Sequence, residues 1–201
     1  EPFDHRELAF VLSEIGWTRW HPGDAMEPMF TGLREHKLLR MEIGCTFSLP
    51  IKERTHALGD DFRPMHREIT FDIDSDSFSG IKCCCGDDQI CERCWPIMNC
   101  ALECLFKIMT EKFGFHKIVP LFSGRRGIHM WVCDERARNL TPTVRASMVN
   151  YMDLIPVVEN RSIPVKMCPL ALEMYRVCIP FFERLVVTQG FFDGNEKLKQ
   201  K

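Results

Sequence analysis

With 201 residues and 45% apolar content, the chain can bury a substantial core as one large domain or two small ones, which excludes disordered and collagen-like classes. Its 26 basic and 28 acidic residues leave a net charge of −2, so bulk attraction does not grip nucleic acid and any polyanion must meet a local patch. No apolar run reaches the roughly 20 residues of a spanning helix, and Glu1-Pro2-Phe3-Asp4 lacks a signal peptide's basic-then-apolar layout, so the expectation is a soluble, intracellular protein with no membrane partner. Without an initiator Met, the chain reads as an excised fragment.

In chain order, residues 5–12 read as a short strand or helix, and residues 16–20 and 41–49 as strands. Residues 51–66, with Gly59-Asp60-Asp61 and Pro64, read as a polar loop. The clearest strand is residues 68–74, whose alternation places Ile69, Phe71 and Ile73 on one face and Thr70, Asp72 and Asp74 on the other. After a cysteine-rich loop, apolar residues at helical spacing predict a helix of about four turns over residues 96–113, with Gly114 as its stop.

Residues 117–122 and 128–133 are strand-like runs joined by the basic, glycine-rich turn Ser123-Gly124-Arg125-Arg126-Gly127. Alternation sets His129 and Trp131 opposite Ile128, Met130 and Val132. Thr141-Pro142 opens a helix running to about Met152, Pro156 and Pro164 bracket a loop, and a last helix covers residues 170–187 with a kink at Pro180. The expected organisation is an α+β domain over residues 1–190, with a zinc loop at 83–95 and a solvated tail at 191–201.

Three constellations can carry chemistry. Asp72 and Asp74 point the same way from one strand with bases about 7 Å apart, which suits a shared hard cation such as Mg²⁺ or equally a solvated acidic strand end extended by Asp76. Ser123, Arg125, Arg126 and His129 collect hydroxyl, guanidinium and imidazole donors on a turn whose N–H groups can converge on an anion, a triphosphate cradle or else a surface hairpin. Cys91-Glu92-Arg93-Cys94 has the gap of a zinc knuckle, and Cys84-Cys85 supplies a second pair, with Cys83 a surplus candidate that could replace either. A closed four-sulfur site leaves no position for substrate, so its zinc would be structural. Cys45, Cys100, Cys104, Cys133, Cys168 and Cys178 read as isolated, buried small hydrophobes in a reducing compartment.

The acidic strand, the cysteine loop ending Ile-Cys-x-x-Cys-Trp, the helix, Phe113-Gly114-Phe115 and the run Ser-Gly-Arg-Arg-Gly-Ile-His-Met-Trp-Val-Cys-Asp-Glu together closely resemble the small catalytic subunit of eukaryotic DNA primase, in the archaeo-eukaryotic primase superfamily. The resemblance runs from about His5 to the last helix and is strongest from Glu68 to Glu135. It implies a mixed α/β catalytic core with an RRM-like sheet. It makes Asp72 and Asp74 ligands of catalytic Mg²⁺ or Mn²⁺, and Ser123, Arg125, Arg126 and His129 nucleotide-binding residues. Arg19 matches an active-site arginine, Glu7 an acidic residue nearby, and Arg40 and Glu42 stand where the family carries a Lys and an Asp near the nucleotide. Cys84, Cys85, Cys91 and Cys94 match the zinc ligands. A third metal-binding aspartate, with a lysine and a histidine, lies beyond this chain's last residue in the family.

The implied function is a DNA-directed RNA polymerase that makes short RNA primers from ribonucleoside triphosphates on single-stranded DNA in the nucleus. The implied partners are a large regulatory primase subunit and DNA polymerase α. Competing readings are a superfamily polymerase using deoxynucleotides and a zinc-stabilised single-stranded nucleic-acid-binding module without catalysis. A metal-dependent nuclease fits the two carboxylates but gives no reason for a triphosphate cradle.

Overall fold

A computed structural model describes residues 2–20, 27–82, 84–86, 89–154 and 167–190. Cys83, the loop between Pro156 and Pro164 and the tail at 191–201 therefore lie outside the described residues. The architecture is α+β, divided into two compact units, Glu1–Arg67 and Glu68–Lys201. Among the described residues no helix is long and apolar enough to cross a membrane.

In the first unit, β1 (Arg6–Leu12), β2 (Gly16–Trp20), α1 (Glu27–Glu35), β3 (Leu38–Phe47) and β4 (Pro64–His66) follow one another, and the strands form an antiparallel sheet in the order β2-β1-β3-β4. Residues 5–12 thus resolve as strand. Their two-residue period buries Leu8, Phe10 and Leu12 together, against Leu33 and Ile43. The expected polar loop at 51–66 is more structured than its composition suggests. Ile51, 1% exposed, anchors a 3₁₀ turn, Phe47 and Phe62 stack with ring centres 4.4 Å apart, and Pro64–His66 adds the edge strand. Helix α1 has no counterpart among the elements expected from sequence.

The second unit contains β5 (Ile69–Asp74), α2 (Trp95–Lys107), β6 (Ile118–Phe122), β7 (Gly127–Val132), α3 (Glu135–Arg138), α4 (Pro142–Met152) and α5 (Pro169–Thr188). Its antiparallel sheet has the order β5-β7-β6. The apolar face of β5 and β7 packs in two clusters. Met130, Val132, Ile69 and Phe71 meet Ile108, Met109 and Phe115, while Ile73 and Ile128 meet Met98 of α2. The opposite face carries the polar Thr70, Asp72, Asp74 and His129 together with Trp131, Val119 and Leu121.

The helix expected over 96–113 is α2 followed by a π turn, Ile108–Lys112. The extra residue in that turn lets the consecutive Ile108 and Met109 both be buried, which a regular 3.6-residue period does not favour. Gly114 ends it at φ +67° as expected. α4 begins and ends where its signals place it, and Thr141 Oγ1 accepts the Val144 N–H at 3.4 Å. α5 contains Pro180, and α2 and α5 pack antiparallel: Ile97 meets Leu185 near one end, and Lys107 and Lys112 reach Glu173 near the other.

Candidate active site and cysteine loop

The polar face of the β5-β7-β6 sheet carries the residues of interest. The register pairs Asp72 with His129 and Asp74 with Gly127, so strand alternation alone brings both carboxylates to the edge of the basic turn. His129 Nε2 stands 3.3 Å from Asp72 Oδ1. Arg126 reaches Asp74 Oδ2 at 3.4 Å and Asp76 Oδ2 at 3.0 Å. From sequence Asp76 only extends the acidic turn; its pairing depends on the fold of the Arg126 turn, and its one sequence signal is the continued two-residue spacing after Asp74. The Asp72 carboxylate is 67% exposed and that of Asp74 34%, so both stay open to a ligand.

The turn is closed by Ser123 in two ways. Its backbone N–H donates to the Gly127 carbonyl at 2.9 Å, and its Oγ accepts the Gly127 N–H at 3.0 Å. Gly124 takes φ +88°, which favours glycine. Gly127 is required for space, since a Cβ there would overlap the Asp74 carboxylate and lie 2.8 Å from the Ile73 carbonyl oxygen. Arg125 is exposed beside it. The structure therefore brings Asp72, Asp74, Ser123, Arg126 and His129 together on one face. Leu121 pairs with His129 and Val119 with Trp131, and both are exposed, giving that face an apolar border that alternation alone did not flag.

In the first unit, Glu7, Arg19, Arg40 and Glu42 also share one sheet face. Glu7 Oε1 pairs with Arg19 Nε at 3.0 Å and with Arg54 at 3.1 Å, and Arg19 lies over the Trp17 ring. Gly44 leaves room for the Glu7 side chain, whose Oε2 would be 2.6 Å from an added Cβ. Arg40 and Glu42 form an ion pair, and the hydrogen bond from Arg40 lowers the Glu42 carboxyl below its ordinary pKa.

The cysteine loop lies between the acidic strand and α2. The sulfurs of Cys84, Cys85, Cys91 and Cys94 all fall within 4.8 Å of one another. Four soft donors at that separation fit a tetrahedral zinc, and they are the four cysteines that the resemblance implies. Crowding four thiols spreads their acidities. Burial pushes Cys85 up to about 12, reinforced by its hydrogen bond to Cys94. Burial also opposes ionisation of Cys91, but its hydrogen bond with the Cys84 thiol and nearby N–H groups outweigh it and bring Cys91 down to about 7. The loop is held at both ends. Lys82, 7% exposed, donates from Nζ to the Gln89 carbonyl at 2.6 Å, while Thr188 and Gln189 at the end of α5 donate to the Arg93 carbonyl at 3.1 and 2.9 Å.

The six cysteines read as isolated are not all so. Cys100, Cys104 and Cys178 form a second cluster of half-buried thiols, and Cys168 is exposed at the start of α5, where its sulfur accepts the Ala171 N–H. The helix face of α2 and its packing on α5 gather thiols that lie far apart along the chain.

A face of hard oxygen donors beside guanidinium and imidazole suits a divalent cation together with an anionic oxygen ligand. Residues 71–199 match the model of the DNA primase small subunit family. The DNA primase small subunit of Saccharomyces cerevisiae is 30% identical over 151 residues, covering 75% of this chain and 37% of the relative. That of Schizosaccharomyces pombe is 33% identical over 153 residues, 76% of this chain and 34% of the relative. That of Caenorhabditis elegans is 29% identical over 203 residues, 96% of this chain and 49% of the relative. The chain belongs to the DNA primase small subunit family, and spans between about a third and a half of the length of these relatives.

Proposed function

We propose that this chain carries the metal- and triphosphate-binding face of a nucleotidyltransferase that synthesises RNA primers on single-stranded DNA in nuclear DNA replication. The observation that supports it most is the pairing of each catalytic-candidate carboxylate with a side chain that can donate to phosphate, Asp72 with His129 and Asp74 with Arg126. Asp72 and Asp74 would hold Mg²⁺ or Mn²⁺, which when bound supplies Lewis-acid activation of a 3′-hydroxyl and neutralises triphosphate charge. A cation held by Asp72 and Asp74 would take over their charge, and Arg126 and His129 would then be free to hold phosphate oxygens. Ser123 Oγ accepts a backbone N–H and keeps its own proton to donate to the same group. Arg125 adds a second guanidinium from the turn. No covalent protein nucleophile is required, because in-line attack on the α-phosphorus with loss of pyrophosphate depends on position and charge.

Arg19, Arg40 and Glu42 are proposed as nucleotide-contacting residues on their own charged face. The cysteine loop is proposed to hold one structural zinc at Cys84, Cys85, Cys91 and Cys94, bracing the chain between β5 and α2. A large regulatory primase subunit and DNA polymerase α are the proposed partners. Template-dependent incorporation of ribonucleotides tests the reading: Asp72→Asn should lower it at least about 100-fold while leaving the circular dichroism spectrum unchanged. Incorporation retained in that variant counts against it. Faster use of deoxynucleotides would shift it to a primase-polymerase.

A further inference from the structure

Three thiols meet at the middle of the α2–α5 interface. Cys100 and Cys104 lie one turn apart on α2, and Cys178 faces them from α5, 78 and 74 residues further along the chain. Cys100 Sγ is 3.5 Å and Cys104 Sγ 3.8 Å from Cys178 Sγ, and all three sulfurs lie within 4.8 Å of one another. All three residues are half-buried. One ion bound to three sulfurs at roughly 2.3 Å holds them roughly 3.8–4.0 Å apart, close to the spacing here. A disulfide would join two of these sulfurs and leave the third unused, whereas a single ion uses all three. A cluster of several irons would hold its cysteines farther apart than one shared ion does.

From this geometry we propose a second metal site, distinct from the cysteine loop, in which Cys100, Cys104 and Cys178 bind one thiophilic d¹⁰ cation. Among the described residues no fourth His, Cys, Asp or Glu joins the group. The chemistry therefore accommodates univalent copper in three-coordination or zinc completed by a water molecule. Such an ion would cross-link α2 to α5 midway between the Ile97–Leu185 contact and the Lys107–Glu173 and Lys112–Glu173 ion pairs. Because α5 also holds the Arg93 carbonyl through Thr188 and Gln189, the cross-link would fix the helix that backs the cysteine loop.

The test uses the whole chain, purified under reducing, anaerobic conditions and loaded separately with Zn²⁺, Cu⁺ and Cd²⁺. Native mass spectrometry should find two zinc ions per chain in the parent and one in Cys178→Ser and in Cys104→Ser. Cadmium NMR should show one four-sulfur and one three-sulfur resonance, with only the second lost in those variants. A Cu⁺ titration that displaces one zinc from the zinc-loaded chain, and only the three-sulfur resonance from the cadmium-loaded chain, identifies copper as the preferred occupant; retention of both zinc ions identifies zinc. Should the variants fail to fold, alkylation of the parent still decides: Cys100, Cys104 and Cys178 should react at least tenfold faster after chelation. One metal per chain in the parent, unchanged counts in Cys178→Ser, alkylation indifferent to chelator, or a disulfide between two of the three cysteines would each overturn the proposal.

Discussion

The carboxylate face and the cysteine loop adjoin in sequence, on either side of residues 75–82, yet they are built to opposite purposes. The Asp72 side chain is exposed and that of Asp74 about one-third exposed, each paired with a partly exposed partner, an arrangement that contributes little to stability because solvent-accessible ion pairs are screened by water. The thiols are drawn together and packed on apolar neighbours, with Cys94 only 2% exposed beside Ile97 and Leu185. The first site can change partners at small cost, and the second cannot. Altering the carboxylates should therefore change chemistry with little effect on folding, and altering the thiols should do the reverse.

Four experiments can break that contrast, in descending order of expected effect. Asp74→Asn should reduce nucleotide incorporation at least about 100-fold with a stability change within about 0.5 kcal/mol; a large fall in melting temperature would erase the distinction. Removing zinc by chelation, or introducing Cys94→Ser, should cost about 4 kcal/mol if the metal is present at roughly a thousand times its Kd, as read by denaturant unfolding. Gly127→Ala sits where the turn meets the acidic strand and should lower both properties. Its Cβ displaces the Ile73 carbonyl and the Asp74 carboxylate, for a loss of about 1–3 kcal/mol accompanied by weaker nucleotide binding.

The smallest effect belongs to Asp134, which caps neither site. Its carboxylate accepts the N–H groups of His116 and Lys117 at 2.8–3.1 Å. Burial opposes its ionisation, but those N–H groups outweigh burial and hold its pKa below the ordinary value. A lowered folded-state pKa means that the stabilisation is present above the unfolded value of about 3.9 and is lost as pH falls through the lower folded value. Thermal unfolding of the parent and Asp134→Asn should differ near neutrality and converge in acid, without any change in nucleotide or zinc binding.

How far the sequence reveals this arrangement depends on the range of the contacts involved. The alternation in Ile69–Asp74, the hairpin of β6 and β7 and the capped start of α4 are local patterns, and each predicts its element closely. The four-sulfur loop is local as well, since its ligands span few residues. By contrast, Ile51 is buried within a segment whose composition is polar, and the π turn obeys packing of Ile108 and Met109 rather than helical period. The grouping of Cys100 and Cys104 with Cys178 requires knowing that α2 lies against α5, which no spacing in the chain encodes. Asp76 likewise acquires a partner only when the Arg126 turn folds back on the acidic strand.

The central claim is that one sheet face binds a metal-complexed nucleoside triphosphate through Asp72, Asp74 and Arg126. Calorimetric titration of ATP with Mn²⁺ into the parent chain, Asp72→Asn and Arg126→Ala tests it most directly, because binding is measured apart from turnover. The account predicts saturable binding by the parent and at least tenfold weaker binding by each variant. Equal affinity in all three proteins, or no binding by the folded parent at millimolar nucleotide, would contradict it.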